Sequence, residues 1–169
     1  EGEGRPPDDE TLVVAVSAGG GSIETLDALD AITGSAGDDR RRTRLVALTN
    51  TVGSPLTDRV GHVVEMHAGV EAGGVACRTY RHTLAVLMAL VDRLTTGDVG
   101  RTILALRRAA AATAHLLDRS DAWLPEVVDT LDTSDGTWLL APSARLSSAE
   151  QGALMIREGP RRRADACET

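Results

Sequence analysis

Two serines bracket three consecutive glycines in Ser17-Ala18-Gly19-Gly20-Gly21-Ser22, between the apolar run Leu12–Val16 and the sequence Ile23-Glu24-Thr25-Leu26. That order predicts a buried strand, a loop able to take backbone conformations that a Cβ forbids, and the first turn of a helix. The first amides of a helix have no intrahelical acceptor, and the helix dipole adds partial positive charge beside them. Backbone donors, two hydroxyls and that field together make an anion site suited to phosphate. No Gly-Lys-Ser/Thr follows, so the loop is not a nucleotide P-loop, and it lacks the G-x-G-x-x-G spacing of a dinucleotide fold. A tight strand-to-helix connection without a ligand has the same composition, and the loop alone leaves both readings open.

Other residues with chemical potential carry plainer readings. Glu24 falls in a helix first turn, where the dipole favours a carboxylate. Glu71 is expected to be a structural acceptor for loop N–H groups. Cys77 reads as a small buried hydrophobe with no His/Asp relay near it in sequence. His62 and His67 flank an expected strand without a carboxylate at metal-ligand spacing, so no metal site is expected. His82 and His115 fall on helices without an evident partner. Arg161-Arg162-Arg163, after Gly159-Pro160, reads as a solvated loop, and Glu158 as the end of a helix.

Composition narrows the partners. The chain has 169 residues, a net charge of −7, no Phe, two Trp and one Tyr. Few aromatics disfavour single-stranded nucleic-acid binding, and the negative charge disfavours polyanions, so no nucleic-acid partner is expected. All 18 basic residues are arginine, which rules out a lysine Schiff base within these residues. Cys77 and Cys167 fit neither a disulfide framework nor a zinc motif, and a reducing cytoplasm is the expected compartment. No apolar run is long enough to span a membrane, and neither a membrane partner nor a signal peptide is expected.

The elements that would position these residues follow from periodicity. Strands are expected at Leu12–Val16, Arg44–Asn50, Val63–Met66 and Trp138–Ala141. Helices are expected at Ile23–Ile32, Leu56–Val60, Thr79–Leu94, Val99–Arg119, Asp121–Leu131 and Ser148–Glu158. In Thr79–Leu94 the residues Tyr80, Leu84, Leu87, Val91 and Leu94 share one face. Alternating strand and helix predicts an α/β fold with a doubly wound parallel sheet. Ligands of such sheets sit at the carboxyl ends of the strands, where Ser17, Asn50 and the segment 68–77 fall.

Three segments, taken in order, resemble one family. Ser17–Thr25 is similar to the Ser-x-Ser-Gly-x-Thr-x-Glu-Thr loop of sugar isomerase (SIS) domains. Ala47-Leu48-Thr49-Asn50 with Ser54-Pro55-Leu56 resembles the family's second strand and turn. Ala68-Gly69-Val70-Glu71 with 74–80 resembles its Ala-Gly-x-Glu-x-x-Val-Ala-Ser-Lys-Thr-Tyr segment. Further on, Ala149–Glu158 resembles a helix of the isomerase half of glucosamine-6-phosphate synthases.

The resemblance implies a flavodoxin-like, SIS-type sheet over residues 1–97, a helical linker at 98–136 and the start of a second SIS unit at 137–169. A strand before residue 1 and further residues after Thr169 are expected in the intact protein. The resemblance also implies a cytoplasmic homodimer binding a hexose phosphate or amino-sugar phosphate, with no cofactor. Its reaction would be ketose–aldose isomerisation, with or without amine transfer or deamination. A non-catalytic sugar-phosphate-binding regulatory module is the alternative, and a purely structural dimerisation module a third. Carried over by position, Ser17 and Ser22 hold the phosphate with Ala18, Gly19 and Gly20. Val75 and Cys77 line the sugar, and Glu158 moves the proton between sugar carbons. Gly19 stands where the family has a third hydroxyl. Glu158 follows Ala153-Leu154-Met155-Ile156 and is expected to be partly buried.

Overall fold

The computed structural model describes residues 11–33, 44–71, 76–132 and 135–169. They form two units, divided between Thr102 and Ile103.

In the first unit, β1 (Val13–Val16), β2 (Leu45–Thr49) and β3 (His62–Glu65) make a parallel sheet in that order. Val13 pairs with Leu45 and Val16 with Leu48; Val46 pairs with His62 and Thr49 with Glu65. Central β2 has no polar residue before Thr49 because both of its faces are covered. Leu45, Ala47, Leu48 and Thr49 are all buried. Helix α1 (Ile23–Thr33) connects β1 to β2 and lays Leu29 and Leu26 on Ala15, Leu45 and Ala47, with Leu56 and Val60 closing that cluster. Each fully buried leucine contributes about 1.5–3 kcal/mol relative to exposure. Between β2 and β3 the expected short helix is one 3-10 turn, Thr57–Arg59.

Helix α2 (Cys77–Thr96) starts two residues earlier than its apolar pattern and ends at Gly97, in the left-handed region at φ +74°, whose N–H bonds to Arg93 O. The expected stripe is only partly used: Leu84 and Leu87 are half-buried, whereas Val91 and Leu94 are exposed. At the corner into α3 (Gly100–Asp118), buried Asp92 accepts the Thr102 hydroxyl at 2.6 Å, and Asp98 caps the new helix by accepting Gly100 N–H at 2.9 Å.

The second unit continues through α3 to α4 (Ser120–Leu131), then β4 (Thr137–Ala141), α5 (Leu146–Glu158) and β5 (Ala164–Glu168). Strands β4 and β5 pair in parallel, Thr137 with Ala164 and Ala141 with Glu168. Buried Ala149 and Ala153 mark the packed face of α5. Gly152 lies so close to β4 that a Cβ there would meet Leu139 Cδ2 at 2.7 Å. Arg161-Arg162-Arg163 form the exposed loop expected after Gly159-Pro160, and strand β5, which the sequence reading did not foresee, follows it. Ala164, Ala166 and their polar neighbours form a strand because β4 supplies the ladder, not because their own periodicity demands one. Among the described residues no helix is long and apolar enough to cross a membrane.

Candidate functional site

The glycine loop is held from beneath at every step. Ser17 N–H bonds to Leu48 O at 3.1 Å, ending the ladder, and Gly20 N–H turns back to Ser17 O at 3.2 Å. Ala18 O accepts both Asn50 N–H at 3.0 Å and the Thr49 hydroxyl at 3.2 Å, while Leu56 N–H reaches Gly20 O at 2.9 Å. Gly20 has φ +65°, and a Cβ there would stand 1.9 Å from Ser54 Oγ. Glycine is required at position 20 on both counts. Gly19 and Gly21 have nothing within 4 Å of an added Cβ, so the space of the family's third hydroxyl exists and is empty of side chain. Ser54 Oγ itself is buried with no partner among the described residues.

Ser22 caps α1. Its Oγ accepts Thr25 N–H at 3.4 Å and the Thr25 hydroxyl at 3.1 Å, and donates to Glu24 Oε2 at 2.9 Å. Glu24's own backbone N–H, and then the Ser22 hydroxyl, hold its carboxyl below the usual glutamate range. The Ser22 hydroxyl is therefore already engaged, and an incoming anion would share it. Ser17 is half-buried in the same loop. Ser17, Ala18, Gly19, Gly20 and Ser22 thus come together as one strand-end cradle. Cys77 opens α2 and is half-buried. Val75 lies outside the described residues.

Glu158 ends α5 in the second unit and is exposed, not partly buried as expected. The reason is helical geometry. Five residues past Ala153 correspond to a turn of about 140° around the axis, away from the packed Ala149–Ala153 face.

Beside the loop, at the carboxyl ends of the three strands, lies a cavity of about 600 Å³ lined by Ala18, Asn50, Glu65, His67, Glu71 and Thr79, among others. Asn50 builds its wall: Oδ1 accepts Ala68 N–H at 2.8 Å and Nδ2 donates to Gly69 O at 2.7 Å. Glu71 accepts Thr79 N–H at 2.6 Å, the structural role expected for it. That backbone bond, with the Arg78 guanidinium acting in the same direction against burial, holds the Glu71 carboxyl below the ordinary value of 4.5. A carboxyl depressed in the folded state stabilises the fold above its unfolded value and loses that contribution as pH falls through the folded one. Glu71→Gln should therefore flatten the acid limb of a pH–stability profile below about pH 4.5. Urea midpoints measured from pH 3 to pH 7 check this, and parallel acid limbs for the two proteins would refute it.

No protein-family model matches the chain. It is 30% identical over 165 residues to the glutamine–fructose-6-phosphate aminotransferase (isomerizing) of Halobacterium salinarum, covering 92% of this chain and 26% of that relative. The chain spans about a quarter of the length of the curated relatives it matches. The C-terminal domain of glucosamine-fructose-6-phosphate aminotransferase from Francisella tularensis superposes with a TM-score of 0.71 at 19% identity, over 94% of this chain and 46% of that one. A Clostridium difficile protein assigned as a phosphosugar isomerase gives 0.76 at 18% identity, over 96% of this chain and 46% of that one.

This is the SIS-type fold. The parallel β1–β2–β3 sheet is the α/β arrangement expected from the sequence.

The SIS pattern did not point to Asn50 as a clamp, nor to His67. The latter has a left-handed backbone, φ +49°, and its Nδ1 lies 3.3 Å from Glu65 Oε1. A left-handed non-glycine residue costs of order 1 kcal/mol or more and persists only where its surroundings over-determine it. The signal that could have found the pair is spacing: residues two apart along an extended segment share a face. His62 is in β3 and exposed. Among the described residues no group of three or more His, Cys, Asp or Glu side chains is arranged to hold a metal ion.

Proposed function

We propose that this chain is the sugar-phosphate-binding part of a phosphosugar isomerase or an amine-transferring relative. The glycine loop would hold the phosphate, and Glu158 would move the proton in the intact protein. The observation that carries the reading is the cradle itself: backbone amides at the start of α1, two serines and a glycine turn at the carboxyl end of β1. Likeness to aminotransferases named for fructose 6-phosphate supports the same ligand class. A hexose phosphate or amino-sugar phosphate is the proposed ligand, Val75 and Cys77 would line its sugar, and no cofactor is needed for the proton transfer. Residues 137–169 would begin a second SIS unit after a helical linker. The intact protein would be a homodimer, in which the exposed apolar residues Trp138 and Leu140 would be covered.

Calorimetry with hexose 6-phosphates and their unphosphorylated sugars tests the cradle. Binding should require the phosphate and weaken in Ser17→Ala by about 1.5–3 kcal/mol, the value of a hydrogen bond to a charged group. Gly19→Ser, which meets no steric obstacle, should strengthen it by restoring a third hydroxyl. Equal binding of sugar and sugar phosphate would remove the phosphate cradle.

Two observations favour a second reading, a regulatory module that binds the sugar phosphate without turnover: Gly19 has no hydroxyl, and Glu158 is exposed. Binding without isomerisation by the intact protein would select it.

A further inference from the structure

We propose that the Gly19–Gly20 peptide turns over when a phosphate enters the cradle, and that the Ser54 hydroxyl, buried beneath the loop, bonds the Gly19 carbonyl in its new position; the proposal rests on the phosphosugar reading above. Ser54 is 4% exposed, and its Oγ is buried without a partner among the described residues. A serine hydroxyl carries one donor and two acceptor sites, and burying it unbonded is unfavourable. A native fold keeps few such groups. This one is aimed at the loop: a Cβ on Gly20 would stand 1.9 Å from Ser54 Oγ. The backbone behind it is fastened. Ser54 O accepts Thr57 N–H at 2.9 Å and the Thr57 hydroxyl at 2.7 Å, and Leu56 N–H ties the same segment to Gly20 O at 2.9 Å.

The bonds of the loop single out the peptide that can move. Ala18 O is held by Asn50 N–H and the Thr49 hydroxyl, and Gly20 O by Leu56 N–H. Between these anchors, Gly20 N–H bonds to Ser17 O at 3.2 Å. Glycine on both sides of the peptide lets it rotate without a Cβ penalty. Gly20 stands at φ +65°, and Gly19 has open space around its own Cβ position. In the free chain the Gly20 N–H is spent on Ser17 O. Turned over, it joins the first amides of α1 in facing the anion. The carbonyl of a planar trans peptide points opposite to its N–H, so the Gly19 carbonyl then faces the Ser54 hydroxyl, which donates to it. A neutral bond to Ser17 O is exchanged for a charge-assisted one to phosphate, the stronger kind. The Thr49 hydroxyl does not compete, because it already donates to Ala18 O. Ser54 is a positioning residue in this scheme and does not touch the ligand.

The experiment titrates the intact protein with fructose 6-phosphate and follows binding by calorimetry and the Gly20 amide by NMR. In the wild type the Gly20 amide proton should move downfield as it exchanges a carbonyl acceptor for phosphate, and inorganic phosphate should move it in the same direction. Ser54→Ala should bind fructose 6-phosphate about tenfold more weakly, the effect of losing one hydrogen bond, and its Gly20 amide should move less. Its urea midpoint should equal or exceed that of the wild type, because alanine removes a polar atom that has no bond in the free protein. A merely structural serine gives the reverse, a lower midpoint with unchanged affinity. Affinity of Ser54→Ala within threefold of the wild type overturns the proposal. So does a midpoint below that of the wild type, or a variant that does not fold, since either shows that the hydroxyl already supports the free loop. Bound fructose 6-phosphate that leaves the wild-type Gly20 amide in place overturns it without any variant. Equal binding of fructose and fructose 6-phosphate, or binding of neither, instead overturns the phosphosugar reading, and the turning peptide with it.

Discussion

Replacing Glu158 by glutamine in the intact protein should lower isomerase turnover by roughly 100-fold or more while leaving sugar-phosphate affinity nearly unchanged. A general base that moves a proton between adjacent carbons acts only in the transition state, so its loss falls on kcat and not on binding. A 100-fold effect corresponds to about 2.7 kcal/mol of barrier. Glutamine preserves the shape of the side chain at the end of α5 and removes only the proton-accepting charge. Because Glu158 is exposed in this chain, the proposed role would require that bound substrate or other parts of the intact protein enclose it. Exchange of solvent deuterium into C1 or C2 of the sugar is the direct readout, and it should disappear with turnover. A glutamine variant that exchanges at the wild-type rate would exclude Glu158 as the base and favour the binding module.

The second large effect belongs to Gly20. Gly20→Ala should destabilise the protein by about 3 kcal/mol, combining the left-handed backbone penalty with overpacking, and should abolish phosphate binding. The added methyl would fall 1.9 Å from Ser54 Oγ and 2.5 Å from Ser54 Cβ. The Ser54 side chain has no freedom to yield, since it is 4% exposed beneath the loop. Gly21→Ala is the matched control: it meets nothing within 4 Å and should change stability by less than about 0.5 kcal/mol. Denaturant midpoints separate the two. Adding Ser54→Gly to Gly20→Ala makes room for the methyl and should recover part of the loss, a non-additivity expected of residues in contact. Equal midpoints for the Gly20 and Gly21 variants would show that the loop is not held in the way described.

Much of this architecture is visible in particular residues. Leu12–Val16 and Arg44–Asn50 announce strands because short apolar runs bounded by turn signals suit a parallel sheet, and the structure pairs them in parallel. Ser22 before Ile23 announces the helix start because a serine hydroxyl satisfies an amide that the helix leaves open. Glu71 was legible as a structural acceptor by its place in a glycine-rich segment before a helix. The opposite holds for β5. Ala164-Asp165-Ala166-Cys167-Glu168 has neither β-branched residues nor strong alternation, and it becomes a strand only because α5 returns the chain to β4. His67 is the surface histidine that the sequence suggests, 77% exposed, and its left-handed backbone was beyond the reach of sequence.

The sequence by itself determined the α/β class, the parallel pairing of the first two strands, the glycine loop and the helix start behind it. These depend on local rules: apolar runs, positive φ at glycine, and hydroxyl caps. Only the tertiary structure decided that Gly20 is obligatory whereas Gly19 and Gly21 are not, because the answer depends on Ser54, which lies 34 positions away in the chain. It also decided that Glu158 faces outward and that His67 meets Glu65 in a cavity. Those outcomes depend on which face of a helix finds a sheet and which loops share a strand end, and packing between distant segments sets both.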